Sequence, residues 1–549
     1  MDRSLTLQVV ASSLFVLLLT AALVAAYTYL STLVKYRLDV RNNSSSNSKV
    51  RTARAPPLIP YAIPVLGSTI TFSNQRIGTF WTWLRNQAQR YSQDAFSIML
   101  SGTRTHFIFS EAGVSAIFKS RQLSRARLDQ QLGTNVLGMA QVDAARAFPY
   151  DVEEKEKSTT ARIHSENLLS SKAVDELTKK FMETLTTQLD DDDQLNEGAV
   201  VELYDWLWQH IFRSSTTAFC GSKLLDMFPD FDKDYRTWED GMLGMLFGTP
   251  RMFAKKSYAA RDATVGKLEK WLQTGYQNLP QAVDNDENWE PNFGAKVMRK
   301  RHDFYAQQDL SPHAQAGSDL IFLAGILSNA TPATGWLLLH ILSPTSAPNL
   351  HTSIMTELRS CHRADNTLDI PALTRLPRLN SAFHEVLRFY TDVLILRQVD
   401  SSVVLGGIHS VKQNEQVMAP SWLTHRNPEF FPNPEVFDPE RFLLHNEVTG
   451  KLSYSASGLG GKYFPFGGGH YMCPGRTFAK QEVLGSIAVL LLNFEIEFVA
   501  FTQAFEGESL PVGKDAKVFP RMKRGYAGNQ VVGIEGDMRV RIKRKKSAA

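Results

Sequence analysis

The sequence predicts a mainly helical body with a few short strands, held behind a single N-terminal membrane helix. Three observations carry this. From Gly67 to about Leu310 apolar residues recur in long helical patterns, and two further apolar helices are read at Ser318–Leu342 and Ala479–Asn493. Residues Ser4 to Val34 form a run of 31 without one charged side chain. Strand-like alternation is confined to short stretches, chiefly Phe96–Ser110, with Gly102 at the expected turn, and the end of the chain from Arg539.

The totals exclude several classes. The chain has 549 residues, 43% of them hydrophobic, which supports a large core. Its 60 basic and 56 acidic residues leave a net charge of +4, too balanced for a nucleic-acid binder. The three cysteines, Cys220, Cys361 and Cys473, are too few and too far apart for a disulfide-built fold or a zinc site.

At about 1.5 Å per residue, the uncharged N-terminal run exceeds the roughly 30 Å hydrocarbon core of a bilayer. Lys35, Arg37 and Arg41 follow it, and this basic excess places the remaining chain in the cytosol. The alternative is a signal peptide cleaved near Val24-Ala25-Ala26, which must explain why the apolar run continues beyond that site. The expected organisation is therefore an anchor at 1–34, a linker and hinge at 35–66, and a catalytic body at 67–549. Arg41 to Ala55 is rich in Asn and Ser and reads as a flexible linker; Asn42 and Asn43 each begin a glycosylation sequon. Pro56-Pro57-Leu58-Ile59-Pro60 and Pro64 read as a stiff extended hinge.

Within the body, Asp190–Asp193 reads as a solvated loop rather than a metal site. The apolar stretch Gly241–Phe253, followed by Lys255 and Lys256, reads either as a core helix or as a lid that dips into a membrane. In the apolar helix Ser318–Leu342, polar residues concentrate at Ser328, Asn329, Thr331 and Thr334. Pro332 lies among them and withdraws the hydrogen bond owed to the Ser328 carbonyl.

Glu385 and Arg388 are three residues apart, so they share a helix face and can form a charge-assisted pair. This pair lies 85 residues before Cys473, with Phe437-Asp438-Pro439-Glu440-Arg441-Phe442 between them. The final signal is Phe466-Gly-Gly-Gly-His-Tyr-Met-Cys-Pro-Gly-Arg476. Its glycines permit a backbone with φ > 0 close to a flat ligand. Pro474 is read as the first residue of the following helix. Cys473 then stands at a helix N-terminus, where free N–H groups favour a thiolate. Thiolate is a form in which cysteine ligates iron.

These segments together, across roughly Pro56 to Lys546, resemble the cytochrome P-450 family. Phe466, Gly469, Cys473 and Gly475 match its heme-binding loop, whereas Tyr471 replaces an arginine that contacts a heme propionate in the family. The resemblance implies heme b with Cys473 as axial ligand. It implies a structural network of Glu385, Arg388 and Arg441, and a propionate contact from Arg397. Arg162 and His164 are further propionate candidates, although no Trp-x-x-x-Arg motif accompanies them. Ala324-Gly325 resembles the start of the family's proton-relay motif, but no acid follows. Aligning Asn329, Pro332, Ala333, Thr334 and Trp336 instead is nearest to the cholesterol 7-alpha-hydroxylase and prostacyclin synthase group. Ser328, Asn329 and Thr331 become the candidate catalytic positions, with water held by Ser328 and Asn329 standing in for the missing acid.

The implied fold is the cytochrome P-450 body with small sheets behind one anchor, single-pass in the endoplasmic reticulum membrane. The implied activity is insertion of one oxygen atom from O2 into a small lipophilic substrate, with electrons from NADPH-cytochrome P-450 reductase. Two alternatives stand beside it. One is a heme-thiolate isomerase of a peroxide substrate, which would need no acid beside Asn329. The other is a non-catalytic heme-bearing sterol binder.

Overall fold

The computed structural model describes residues 3–44, 53–73, 77–91, 94–149, 160–278, 288–361, 368–502, 519–523 and 529–546. The chain is described as two compact units. The first is organised around strands from distant parts of the chain, the second around helices packed on one central helix.

The first unit comprises Met1–Arg125, Leu394–Thr424 and Gly460–Phe464. Its sheet starts from the hairpin Ala95–Leu100 and Thr103–Ile108, in the alternating stretch read from sequence, with Gly102 at φ 82 in the turn. Gln416–Pro420 lies parallel to the second hairpin strand, Val417 facing His106. It lies antiparallel to the strand Thr391–Val399, where Val417 faces Arg397. The N-terminal helix spans Arg3–Ser44. Residues 41–44, expected in a linker, therefore continue the helix; residues 45–52 of that linker lie outside the described residues. Within it, Ala11–Arg41 is long and apolar enough to cross a membrane. The proline segment is extended, as expected, and is also pinned to the sheet. Ser97 N–H donates to Pro57 O at 2.8 Å and Ile59 N–H to Ser97 O at 2.9 Å. Arg104 Nη2 and Ser97 Oγ both donate to Pro56 O, at 2.6 and 2.8 Å.

The second unit comprises Ala126–Val393, His425–Leu459 and Pro465–Ala549. Its central helix runs from Pro312 to Leu342, beginning six residues before the stretch read from sequence. Ser311 caps it by accepting from Ala314 N–H, and Pro312 occupies the first turn, where a missing N–H costs nothing. The helix is apolar on nearly every face, as a helix surrounded by protein must be. Trp336 is fully buried and stacks on Tyr390 at 3.8 Å. The helix also has the length and hydropathy of a membrane span, but its burial identifies it as core. It continues unbroken through Pro332.

A three-stranded sheet joins Phe494–Thr502, Asp537–Arg544 and Ala199–Glu202. The C-terminal run is strand, as the alternation from Arg539 suggests, with Arg539 paired to Glu202 at 2.7 Å and Arg544 to Asp190 at 2.6 Å. One expectation is corrected. Asp190 itself ends the helix Ser171–Asp190, so the acidic run is not all loop. The stretch 241–253 divides between its two readings. Met242, Leu243 and Met245 are buried at the end of the helix Phe231–Leu246, whereas Phe247, Met252 and Phe253 are exposed beyond it.

Candidate active site

The cysteine loop closes on itself. Cys473 N–H donates to Phe466 O at 2.9 Å. Between them Gly467 and Gly469 adopt φ of 71 and 62, where any other residue would be strained. A single 3-10 turn covers Gly469–Tyr471. The following helix begins at Arg476 with Gly475 as its cap, two residues later than the reading that put Pro474 first. The delay leaves the N–H groups of Gly475 and Arg476 free of helical partners, and both hydrogen-bond Cys473. Burial raises the Cys473 thiol above its ordinary value, while those two N–H groups and the Arg476 charge pull it down. Burial dominates, and a metal ligated by this sulfur would take it as the thiolate. A Cβ at Gly475 would meet Cys473 Sγ at 3.8 Å, so the glycine keeps side-chain bulk away from the sulfur. A soft donor held by two N–H groups on a glycine-rich loop fits heme iron.

Glu385 and Arg388 lie on the helix Pro377–Tyr390, and both are fully buried. The pair is bidentate: Arg388 Nε donates to Glu385 Oε2 and Nη2 to Oε1, each at 2.7 Å. Arg441 Nε reaches the same carboxylate at 3.0 and 3.1 Å. Asp438 N–H adds a fourth donor group at 2.9 Å. One carboxylate thus serves two guanidiniums. Backbone carbonyls satisfy the excess donors: Arg388 Nη1 binds His425 O and Pro434 O at 2.9 Å, and Arg441 Nη2 binds Val436 O at 3.0 Å. The result ties a helix to the segment 425–441 by a rigid set of charge-assisted bonds.

On the central helix the candidate residues separate. Successive helical residues are about 100° apart. Ser328 is 3% exposed and its hydroxyl lies 2.7 Å from Tyr235 Oη. Asn329 leaves the helix on another side, where its Oδ1 accepts from Val531 N–H at 3.1 Å and its Nδ2 donates to Gly325 O at 3.4 Å. The two side chains thus leave the helix toward different protein partners. Thr331 is buried. A Cβ at Gly325 would meet nothing within 4 Å, so open space flanks the turn Gly325–Asn329.

Sequence reasoning missed Glu239. It sits on the helix Phe231–Leu246, 8% exposed, and shares a hydrogen bond with Ser328. Burial pushes its carboxyl up to about 7. The central helix carries no acid in Ala324–Trp336, yet a buried carboxyl reaches it from elsewhere. Its i, i+4 spacing from Tyr235 is the only trace in the sequence, and that spacing alone carries no information.

The propionate candidates differ in setting. Arg397 is buried within the sheet of the first unit, where its Nη1 donates to Leu396 O at 2.8 Å. Tyr471 closes the 3-10 turn of the cysteine loop, in the second unit. Arg162 is solvent-exposed and pairs with Glu166 at 3.1 Å. His164 instead accepts from Arg301 Nη1 at 2.8 Å and stacks on Phe322 at 5.1 Å. Burial and Arg301 hold His164 down to about 3, so it is neutral.

Comparison with known proteins adds three findings. Residues 56–509 match the family model described as Cytochrome P450. The chain is 25% identical over 527 residues to Cytochrome P450 monooxygenase efuG of Hormonema carpetanum, covering 86% of this chain and 91% of that protein. It is 27% identical over 467 residues to Cytochrome P450 monooxygenase poxD of Penicillium oxalicum (81% and 88%). It is 23% identical over 478 residues to Cytochrome P450 7A1 of Oryctolagus cuniculus (81% and 87%). The solved structure of retinoic acid bound cyanobacterial CYP120A1 superposes with a TM-score of 0.61 at 19% identity, covering 90% of this chain and all of that one.

Proposed function

This chain belongs to the cytochrome P450 family, and from that premise we propose a membrane-anchored monooxygenase that takes electrons from NADPH-cytochrome P450 reductase and oxidises a sterol- or terpenoid-like substrate. The family's enzymes are heme-thiolate oxidoreductases, and the chain's relatives are named as monooxygenases. In this reading Cys473 would ligate the heme iron, Glu385, Arg388 and Arg441 would brace its surroundings, and Tyr471 on the same loop would contact a propionate. Heme held this way supplies O2 activation and transfer of one oxygen atom to the substrate.

The observation that carries the substrate class is the pattern Asn329, Pro332, Ala333, Thr334, Trp336, which resembles the cholesterol 7-alpha-hydroxylase group. The match to Cytochrome P450 7A1 agrees with it. Asn329 is held from two sides, by Val531 N–H and by Gly325 O, so its amide is fixed beside the open space at Gly325. A fixed amide there can orient a polar group of an otherwise apolar substrate. In this reading the helix Ala11–Arg41 anchors the body to the endoplasmic reticulum membrane. The isomerase alternative drew on the lack of an acid near Asn329, and Glu239 at Ser328 weakens that ground.

The test is reconstitution of the purified chain with reductase, NADPH and O2 against a sterol and terpenoid library. The expected result is a product one oxygen atom heavier that requires both NADPH and reductase. Turnover of a peroxide substrate alone, with no reductase-dependent product, would refute the proposal.

A further inference from the structure

The central helix's own acid, Asp319, is paired with Arg301 at 3.1 Å, and the carboxyl missing from the turn Gly325–Asn329 is brought there by the helix Phe231–Leu246. Tyr235 and Glu239 are four residues apart and share one face, and both address the Ser328 hydroxyl. On the helix Leu203–Cys220, Tyr204 feels the charge of the same carboxyl, and burial keeps the phenols of both tyrosines protonated. On its outer side Glu239 feels Asp240, Lys523 and Arg236. Asp240 and Lys523 form a partly exposed ion pair at 2.5 Å, and Arg236 is also partly exposed. Glu239 thus stands between a charged, solvent-facing rim and a hydroxyl buried on the central helix.

Counting hydrogens gives two arrangements. When Glu239 is ionised, Ser328 O–H donates to its carboxylate and Tyr235 O–H donates to Ser328 Oγ. When Glu239 is protonated, its O–H donates to Ser328 Oγ. The Ser328 hydrogen then turns to another acceptor, such as a carbonyl three or four residues back at Gly325 or Ala324. Because burial holds the carboxyl near neutrality, both arrangements are populated at physiological pH.

We propose that Glu239 is the proton store of the central helix, delivering through Ser328 to the open space at the turn Gly325–Asn329. In each delivery the Glu239 carboxyl proton moves to Ser328 Oγ as the Ser328 hydroxyl proton leaves to water beside Gly325. Water at the Arg236–Asp240–Lys523 rim then returns a proton to the Glu239 carboxylate, so one proton enters and one leaves. Glu239 acts through Ser328 and is a positioning residue rather than a catalytic one. The inference rests on the monooxygenase reading, which consumes protons at that turn.

Two measurements test it. Infrared difference titration of the full chain should show a carboxylic C=O band that disappears around neutral pH, is absent from Glu239→Gln, and shifts in Ser328→Ala. In the reconstituted system, product per NADPH should fall as pH rises through about 7 in wild type. It should be low and pH-independent in Glu239→Gln, by roughly tenfold at acid pH, less than full loss of a general acid because water still enters. Intact CO-complex absorbance would show that the variant keeps its heme. A Glu239→Gln enzyme with the wild-type coupling profile overturns the proposal while leaving the monooxygenase reading intact. If wild type forms no reductase-dependent product, that reading fails instead, and the infrared arm still decides. Absence of the titrating band, or its indifference to Ser328→Ala, overturns the store.

Discussion

Replacing Glu385 by Gln keeps the shape of the buried network and removes its only negative charge. Oε2 accepts from Arg388 Nε at 2.7 Å and Arg441 Nε at 3.0 Å, and Oε1 from Arg388 Nη2, Arg441 Nε and Asp438 N–H. Glutamine preserves one of these oxygens. Whichever way the amide turns, its NH2 faces guanidinium donors that have lost their acceptor. About two charge-assisted bonds are lost, at roughly 1.5–3 kcal/mol each. This agrees with the roughly 3–5 kcal/mol expected when one member of a buried ion pair is removed. Against a total stability of about 5–15 kcal/mol, the variant should fold poorly around heme. The assay is heme per polypeptide after expression, with urea unfolding of the purified protein. Arg388→Lys, which keeps the charge but not the planar fork, should fall between the two. Glu385→Gln protein with full heme content and stability within about 1 kcal/mol of wild type would refute the argument.

Three further outcomes are expected. Cys473→Ser should lose the long-wavelength band of the reduced CO complex, and retention of that band would exclude Cys473 as the ligand. Protease added to intact microsomes should digest the body, whereas glycans on Asn42 or Asn43 would reveal the opposite orientation. Glu482, on the helix Arg476–Asn493, accepts the Ser215 hydroxyl and is raised by burial from an ordinary 4.5 to about 8. The folded state then holds a proton that the unfolded chain releases above about 4.5. The resulting stability is complete at acid pH and is lost as pH rises through about 8. Glu482→Gln should flatten that part of the pH–stability curve, and an unchanged slope would show that Glu482 does not titrate there.

Features whose signal is contiguous or periodic along the chain are legible in it directly. Phe466–Arg476 is legible because a glycine loop, a cysteine and a helix start are neighbours along the chain. The uncharged N-terminal run, the hairpin turning at Gly102 and the Glu385–Arg388 pair are legible for the same reason. Tertiary structure alone decided what long-range packing brings together. Tyr235 meets Ser328 across 93 residues. It also decided that Gln416–Pro420 joins the hairpin near residue 100, a pairing across about 300 residues. Glu239 and Asp240 show the physical reason most plainly. They are adjacent acids in one polar stretch, and no periodicity separates them. Yet Asp240 faces solvent beside Lys523, while burial beside Ser328 strips water from Glu239 and moves its carboxyl to about 7.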